Sequence, residues 1–264
     1  MSAIGFIGGG AMAEAIIKGL LAHGYETKQI IVSDKSGERL DYLQQSLGIN
    51  VSKDNLSVVK KCAELVLAVK PQNLAELMEE IAPHCTKEHL VISIMAGIST
   101  ATIEKYLSAG SRVVRVMPNT PALVGAGTTV LAAGSKATDQ DLAKAQSIFR
   151  AVGSVNVLPE KLLNAVTGLS GSGPAYVYLF IEALSDAGVL AGLPRDVALE
   201  LAVETVRGTA QMVSETKEHP AKLKDKVTSP AGTTIYGLLE LEKSGLRGVV
   251  MEAVLAASKR AGEM

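Results

Sequence analysis

Apolar positions along this chain keep two rhythms, one before and one after about residue 158. In the first part, short β-branched runs at residues 3–7, 29–33, 64–69, 90–94, 112–117, 128–132 and 154–158 predict strands. Between them, residues 12–23, 37–47, 73–81, 100–107 and 139–152 carry apolar side chains at the three-and-four spacing of a helix face. Alternation of this kind predicts an α/β fold, a doubly wound parallel sheet with helices on both faces. Runs such as LVLAV and VVRVM read as strands buried between two helical layers.

After Pro159 the β-rich runs stop, and apolar residues recur at helical spacing over 175–191, 195–214, 232–244 and 246–262. The pattern therefore divides the chain into residues 1–158 and an all-helical domain, residues 159–264. Pro194-Arg195 marks one helix start, and Ser172-Gly173-Pro174 predicts another, with Ser172 as N-cap and proline in the first turn. Residues 176–190 and 249–257 are more apolar than a surface helix needs. Burial against another subunit and a self-contained bundle core account for that excess equally well.

Composition narrows the class. The 264 residues are 47% apolar, ample for a core, and 26 Lys+Arg against 27 Asp+Glu leave a net charge of -1. A field that small does not gather nucleic acid or an anionic membrane. Cys62 and Cys85 match no metal or redox spacing and are too few for a secreted disulfide framework, which points to a reducing cytoplasm. No cation precedes Lys18, so neither a secretory leader nor a transit peptide is expected. Residues 116–135 are uncharged, but Pro118, Pro121, Gly125 and Gly127 make them loop and strand rather than a membrane span. The expectation is a soluble cytoplasmic protein. His23, His84, His89 and His219 lack partners at catalytic or metal spacing and read as surface or capping residues, so no metal is expected.

The chemistry begins at Gly8-Gly9-Gly10-Ala11-Met12-Ala13, a G-x-G-x-x-A pattern between a predicted strand and a predicted helix. In that setting Gly8 permits the turn, Gly10 lets the backbone approach a pyrophosphate, and Ala13 lets the helix pack on the strand. The phosphates would meet free N–H groups at the positive end of the helix dipole. At the end of the second strand, Asp34 stands where an acidic residue accepts hydrogen bonds from the adenosine ribose and favours NAD. Lys35, flanked by the Ser33 and Ser36 hydroxyls and with Arg39 one turn on, could instead hold a 2′-phosphate. The two signals pull in opposite directions. The loops Ala68-Val69-Lys70-Pro71, Ala96-Gly97 and Met117-Pro118-Asn119 also follow strand ends and should face the same ligand.

The segments IGFIGGGAMA, LAVKPQ, VISIMAG, VRVMPNTPALV, AVTGLSGSGPAYVYLFIEAL and EHPAKLKDKVTSPAGTTIYGLLELEKSGLR run in order along nearly the whole chain. Together they resemble the Δ1-pyrroline-5-carboxylate reductases, the proline-forming oxidoreductases. The resemblance implies a Rossmann domain followed by a helical domain that dimerises, with dimers often assembled into larger rings. It implies reduction of the cyclic imine pyrroline-5-carboxylate to proline by NADPH or NADH, commonly NADPH. It also implies cofactor contacts at Gly8, Gly10, Ala11, Met12, Ser33, Asp34, Lys35, Ser36, Asn55, Ala68, Val69, Lys70, Pro71, Ala96, Gly97 and Asn119.

The family's substrate loop is S-P-G-G-x-T, and Ser229-Pro230-Ala231-Gly232-Thr233-Thr234 departs from it at Ala231, where a backbone needing positive φ would resist alanine. These hydroxyls and N–H groups precede a predicted helix, a cradle suited to a carboxylate. Ser229, Gly232 and Thr233 are assigned to the substrate carboxylate, and Thr234 to the carboxylate or the ring nitrogen, with Ser229 and Thr234 as the catalytic candidates. The glycines of Gly168-Leu169-Ser170-Gly171-Ser172-Gly173-Pro174 suggest close approach by the nicotinamide or a dimer partner, or a plain interhelical turn. Glu218 and Lys224 are further candidates by proximity in sequence. Another two-domain dehydrogenase, acting on a 2-keto or 3-hydroxy acid, would need a helical-domain lysine as acid or base, and a dinucleotide-binding regulator would bind cofactor without oxidising it.

Overall fold

A computed structural model describes residues 3–263. Eight strands, β1 (Ile4–Ile7), β2 (Ile30–Ser33), β3 (Asn50–Ser52), β4 (Glu64–Leu67), β5 (Leu90–Ser93), β6 (Arg112–Met117), β7 (Gly127–Ala133) and β8 (Gly153–Val157), form one sheet in the order β3-β2-β1-β4-β5-β6-β7-β8. Every pairing is parallel except β6 with β7. The connection there, residues 118–126, holds a single 3-10 turn at Thr120–Val124 and is too short for a crossover helix, so the chain turns back beside β6. The parallel expectation is corrected at that one strand.

Helices α1 (Ala11–Ala22), α2 (Gly37–Leu47), α3 (Asn55–Lys61), α4 (Leu74–Ile81), α5 (Thr100–Glu104) and α6 (Asp139–Arg150) cover the sheet. Two apolar clusters lie on its faces. Phe6, Ile16, Leu20, Val32, Val66 and Phe149 belong to one, and Ile7, Leu65, Leu67, Met78 and Val91 to the other. Alternate residues of β1 and β4 thus point to opposite layers, which is why LVLAV has no polar face. VVRVM is not wholly apolar in effect. Arg115 is buried and its Nη1 meets Glu160 Oε1 at 3.4 Å, while Glu160 also accepts hydrogen bonds from the Thr100 N–H at 2.7 Å and its hydroxyl at 2.6 Å.

Some elements were not anticipated. Strand β3 is a three-residue edge, and α3 begins behind Asp54, whose carboxylate accepts the N–H groups of Leu56 and Ser57. The helix expected over 100–107 ends as α5 at Glu104, because the following turn tightens to i−3 bonding, Tyr106 N–H to Ile103 O and Leu107 N–H to Glu104 O.

Helices α7 (Leu163–Val166), α8 (Gly173–Leu190), α9 (Arg195–Thr216), α10 (Pro220–Lys226), α11 (Thr233–Lys243) and α12 (Leu246–Gly262) complete the chain. Between α7 and α8, Thr167–Gly171 is wound as a π-helix, and Ser172 continues it with helical torsions of φ -86 and ψ -22. Ser172 is therefore not an N-cap, and the glycine-rich stretch is not a plain interhelical turn. One compact unit holds the chain up to Ser172 together with the residues from Ala256 on, and the second is Gly173–Leu255.

Within the second unit, α8 and α9 pack closely, with a Cβ on Gly188 falling 2.9 Å from Ala198 Cβ, and Asp186 pairs with Arg195. Among the described residues of this unit, α8 buries only Ser185, α9 only Ala198 and Ala202, and α10 and α11 bury none. Leu179, Val249, Met251 and Leu255 are each about two-thirds exposed, and Leu190 is 91% exposed. The unit has no self-contained core, which removes one of the two explanations for its apolar helices. Among the described residues no helix is long and apolar enough to cross a membrane.

Candidate functional site

The first unit's strand order reverses at β1, with β2 on one side and β4 on the other, and a cavity of about 360 Å³ opens at the carboxyl ends of these strands. It is lined by Ile7, Gly8, Gly10, Ser33, Asp34, Lys35, Asn55, Ala68, Val69, Lys70 and Asn73. A reversal in an open parallel sheet is the usual place for a ligand crevice. Gly8, at φ +101, turns the chain out of β1, and its N–H donates to Ser33 O at 2.8 Å. A Cβ on Gly8 would stand 2.6 Å from the carbonyl oxygen of Ala68. Gly10 begins α1 without a side-chain cap, and a Cβ on it would meet nothing within 4 Å. The open space beside uncapped N–H groups at a helix start fits the pyrophosphate of a dinucleotide.

At the end of β2, most polar groups are already engaged. Asp34 accepts the Gly9 N–H at 2.7 Å and the Ser36 N–H at 2.9 Å. The Ser33 hydroxyl is buried and donates to Phe6 O, and the Ser36 hydroxyl caps α2 by accepting the Arg39 N–H. Arg39, weighed from sequence as a 2′-phosphate cation, instead donates to Gly9 O and Glu14 and lies 5.0 Å from the Tyr42 ring centroid. Burial would raise the Glu14 pKa, but hydrogen bonds from Lys18, Arg39 and Tyr42 outweigh it and hold the carboxyl down at about 2. This ionised cluster braces the glycine loop from behind. Lys35 pairs with Glu76 at 2.7 Å, and Asn55, the first residue of α3, donates to Glu80 at 2.8 Å.

The remaining expected contacts are spread around this cavity's rim and beyond. Ala11 and Met12 begin α1, Pro71 begins a 3-10 turn after Lys70, and Gly97 takes φ +76 in the bend between Ala96 and α5. None of these lines the cavity, and neither does Asn119. The Asn119 side chain donates to Ser170 O at 3.0 Å and accepts the Thr128 N–H at 2.8 Å, so it ties the end of β6 to the π-helix. A Cβ on Gly171 would stand 2.5 Å from Met117 Cε, the tip of a flexible side chain at the end of β6. Sequence reading missed Ile7 and Asn73 as lining residues. Asn73 follows Lys70-Pro71-Gln72, and that loop was the signal that could have found it.

In the second unit, Gly232 is the N-cap of α11, without a side-chain cap, and Thr233 and Thr234 form its first turn. The Gly232 N–H donates to Ser229 O at 3.1 Å, and a Cβ on Gly232 would collide with Ser229 Oγ. The serine hydroxyl thus lies against the helix start. Ala231 adopts φ +55, the left-handed conformation that glycine takes without penalty. Ala231→Gly is expected to stabilise the protein by up to about 1 kcal/mol, read from a denaturant melt; unchanged or lower stability would mean the alanine sits there without strain. A cavity of about 530 Å³ beside the loop is lined by Lys224, Ala231, Ile235, Tyr236, Leu238, Leu239 and Glu242.

Glu218 pairs with Lys222 at 2.9 Å and Lys226 at 2.5 Å, whose hydrogen bonds lower its pKa, while His219 caps α10 by accepting the Ala221 N–H. His23 bonds Gly19 O at the end of α1, and His89 bridges Val59 O and Thr86. Burial pushes the thiols of Cys62 and Cys85 up to about 11, far from a reactive thiolate. Among the described residues no group of three or more His, Cys, Asp or Glu could hold a metal ion.

A family model described as pyrroline-5-carboxylate reductase dimerisation matches residues 160–264, and one described as NADP oxidoreductase, coenzyme F420-dependent, matches residues 3–97. The pyrroline-5-carboxylate reductase of Synechocystis is 52% identical over 99% of this chain and 97% of its own length, and that of Methanosarcina acetivorans is 48% identical over the same shares. The chain belongs to the pyrroline-5-carboxylate reductase family. Among solved structures, a pyrroline-5-carboxylate reductase from Coxiella burnetii aligns with TM-score 0.93 and 41% identity, over 99% of this chain and 98% of that one. The Plasmodium falciparum enzyme with NADP bound aligns with TM-score 0.90 and 32% identity, over 99% and 97%. As a member of this reductase family the chain is an NAD(P)-dependent oxidoreductase that carries the family's dimerisation domain.

Proposed function

We propose that this chain reduces L-1-pyrroline-5-carboxylate to L-proline with NADPH as the favoured coenzyme and NADH as a poorer one. This is oxidoreductase chemistry on a C=N bond and the final step of proline biosynthesis. Residues 1–158 hold the dinucleotide, and residues 159–264 hold the imine and form a homodimer, with a ring of dimers as the larger assembly and the cytoplasm as its place. One observation carries the coenzyme half: the uncapped start of α1 opens beside Gly10 onto empty space at the sheet's switch point. The P. falciparum relative with NADP bound supports the choice of coenzyme. The dinucleotide supplies the hydride.

The chain's own groups bind and orient. Gly8, Gly10, Ala11 and Met12 approach the pyrophosphate, the Ser33–Ser36 stretch and Asn55 the adenosine ribose and its substituent, and Ala68–Pro71, Ala96, Gly97 and Asn119 the remainder. Ser229, Gly232 and Thr233 receive the substrate carboxylate at the positive end of α11. Thr234 hydrogen-bonds the carboxylate or the ring nitrogen. Catalysis on this reading comes from positioning and electrostatics rather than from a proton shuttle.

The test is the absorbance of reduced nicotinamide, followed with purified protein and pyrroline-5-carboxylate, NADPH and NADH side by side. Imine-dependent oxidation, faster with NADPH at equal concentration, is the expected result. Coenzyme binding without oxidation would overturn the reading in favour of a dinucleotide-binding regulator, and a larger kcat/KM with NADH would overturn the coenzyme choice.

A further inference from the structure

We propose that Glu76 sets the coenzyme preference of this enzyme by competing with a 2′-phosphate for Lys35, so that selectivity for NADPH over NADH is held below what the site's cations could give. The proposal rests on reading the cavity at the ends of β1, β2 and β4 as the place of the coenzyme's adenosine half.

Around the end of β2 few groups are left to meet a phosphate. The Asp34 carboxylate accepts two backbone N–H groups, the Ser33 hydroxyl is bonded to Phe6 O, and the Arg39 guanidinium is bonded to Gly9 O and Glu14. Lys35 lines the cavity and carries an exposed ammonium, but that ammonium lies 2.7 Å from Glu76 Oε1. Lys53 stands nearby: its Nζ is 3.4 Å from where a Cβ on Gly37 would be, over the first turn of α2, and it has no acidic partner among the described residues. Lys70 lines the cavity from the end of β4 instead.

Glu76 is on α4, and Glu80, one turn further on the same helix face, holds Asn55. One helix therefore presents two carboxylates to two cavity-lining residues. A 2′-phosphate brought to Lys35 must share that lysine with Glu76 and meet its negative charge; the 2′-hydroxyl of NADH meets neither cost. The pair is 75% and 69% exposed, so water and salt weaken it, and the effect on binding is a modest factor rather than an all-or-none switch.

Glu76→Gln keeps the size and a hydrogen-bonding oxygen while removing the charge. The expected result is a rise of roughly two- to fivefold in the ratio of kcat/KM for NADPH to that for NADH, carried by KM for NADPH, with the NADH values close to those of the parent. The gain should shrink as ionic strength rises. In the Lys35→Ala background the same Glu76 change should raise the ratio by clearly less than it does in the parent, since only the direct repulsion of the phosphate is then left to remove. An unchanged or lowered ratio, or equal changes with both coenzymes, would overturn the proposal. Titration with 2′,5′-ADP and with 5′-ADP separates the two levels. Failure of both to bind the parent protein overturns the cavity reading itself, whereas binding of 2′,5′-ADP with equal affinity to parent and Glu76→Gln overturns the role of Glu76 alone.

Discussion

Alanine at position 8 should cost the enzyme its coenzyme, raising the dissociation constant for NADPH by about 100-fold or more. Two penalties coincide there. The backbone holds φ +101, which a Cβ resists at about 1–2 kcal/mol. The added carbon would also lie 2.6 Å from Ala68 O and 2.8 Å from Ala68 C. Those atoms belong to backbone at the end of β4, where no side chain can swing aside. The strand ends must part or the turn must reshape, and either change moves the N–H groups at the start of α1. A loss of stability of about 2–4 kcal/mol should accompany it in a thermal or denaturant melt. Gly10→Ala separates folding from binding. Its Cβ meets nothing within 4 Å, so it should melt like the parent yet, on the proposed reading of this space as the pyrophosphate's place, bind NADPH poorly. Near-parental affinity in both variants would remove the phosphate loop from the mechanism.

Thr234→Ala should lower kcat/KM for the imine by about 10- to 100-fold while coenzyme affinity stays within a factor of two. The estimate is the worth of one hydrogen bond to a charged or polarised substrate group, about 1.5–3 kcal/mol. Thr234 lies in the first turn of α11, and Gly232, its N-cap, brings no side chain to satisfy the N–H groups there. On the proposed reading the hydroxyl and the uncapped helix start act together on the substrate. Thr234→Ser, which retains the hydroxyl, should recover most of the loss. Steady-state kinetics with varied imine, beside a coenzyme titration, gives both readings; an unchanged kcat/KM would remove the assigned role.

Much of this was legible because apolar periodicity is strong where burial is two-sided. β1, β4 and β5 are buried at every position, and their boundaries fall within two residues of those read from the sequence. Elements with weak periodicity escaped. β3 is a short edge strand, and α10 is held by the Pro220 start, the His219 cap and surface ion pairs rather than by an apolar stripe. The Ser172 cap failed because a π-helix allows two helices to run on through a glycine-rich stretch that reads as a break. At the site, spacing along the chain located Gly8, Gly10, Asp34 and Lys70, since each follows a strand. It could not show that Arg39 would be drawn inward by Glu14 or that Lys35 would meet Glu76, because those pairings join residues 25 and 41 positions apart in the chain.

The scarcity of buried side chains between Gly173 and Leu255 reaches beyond architecture. A stretch that lowers its free energy chiefly by covering apolar helices with a second copy folds by a bimolecular reaction. Mass action then governs it: dilution favours opening of that unit while the eight-stranded sheet stays intact. The amount of protein the cell makes becomes part of what keeps it folded.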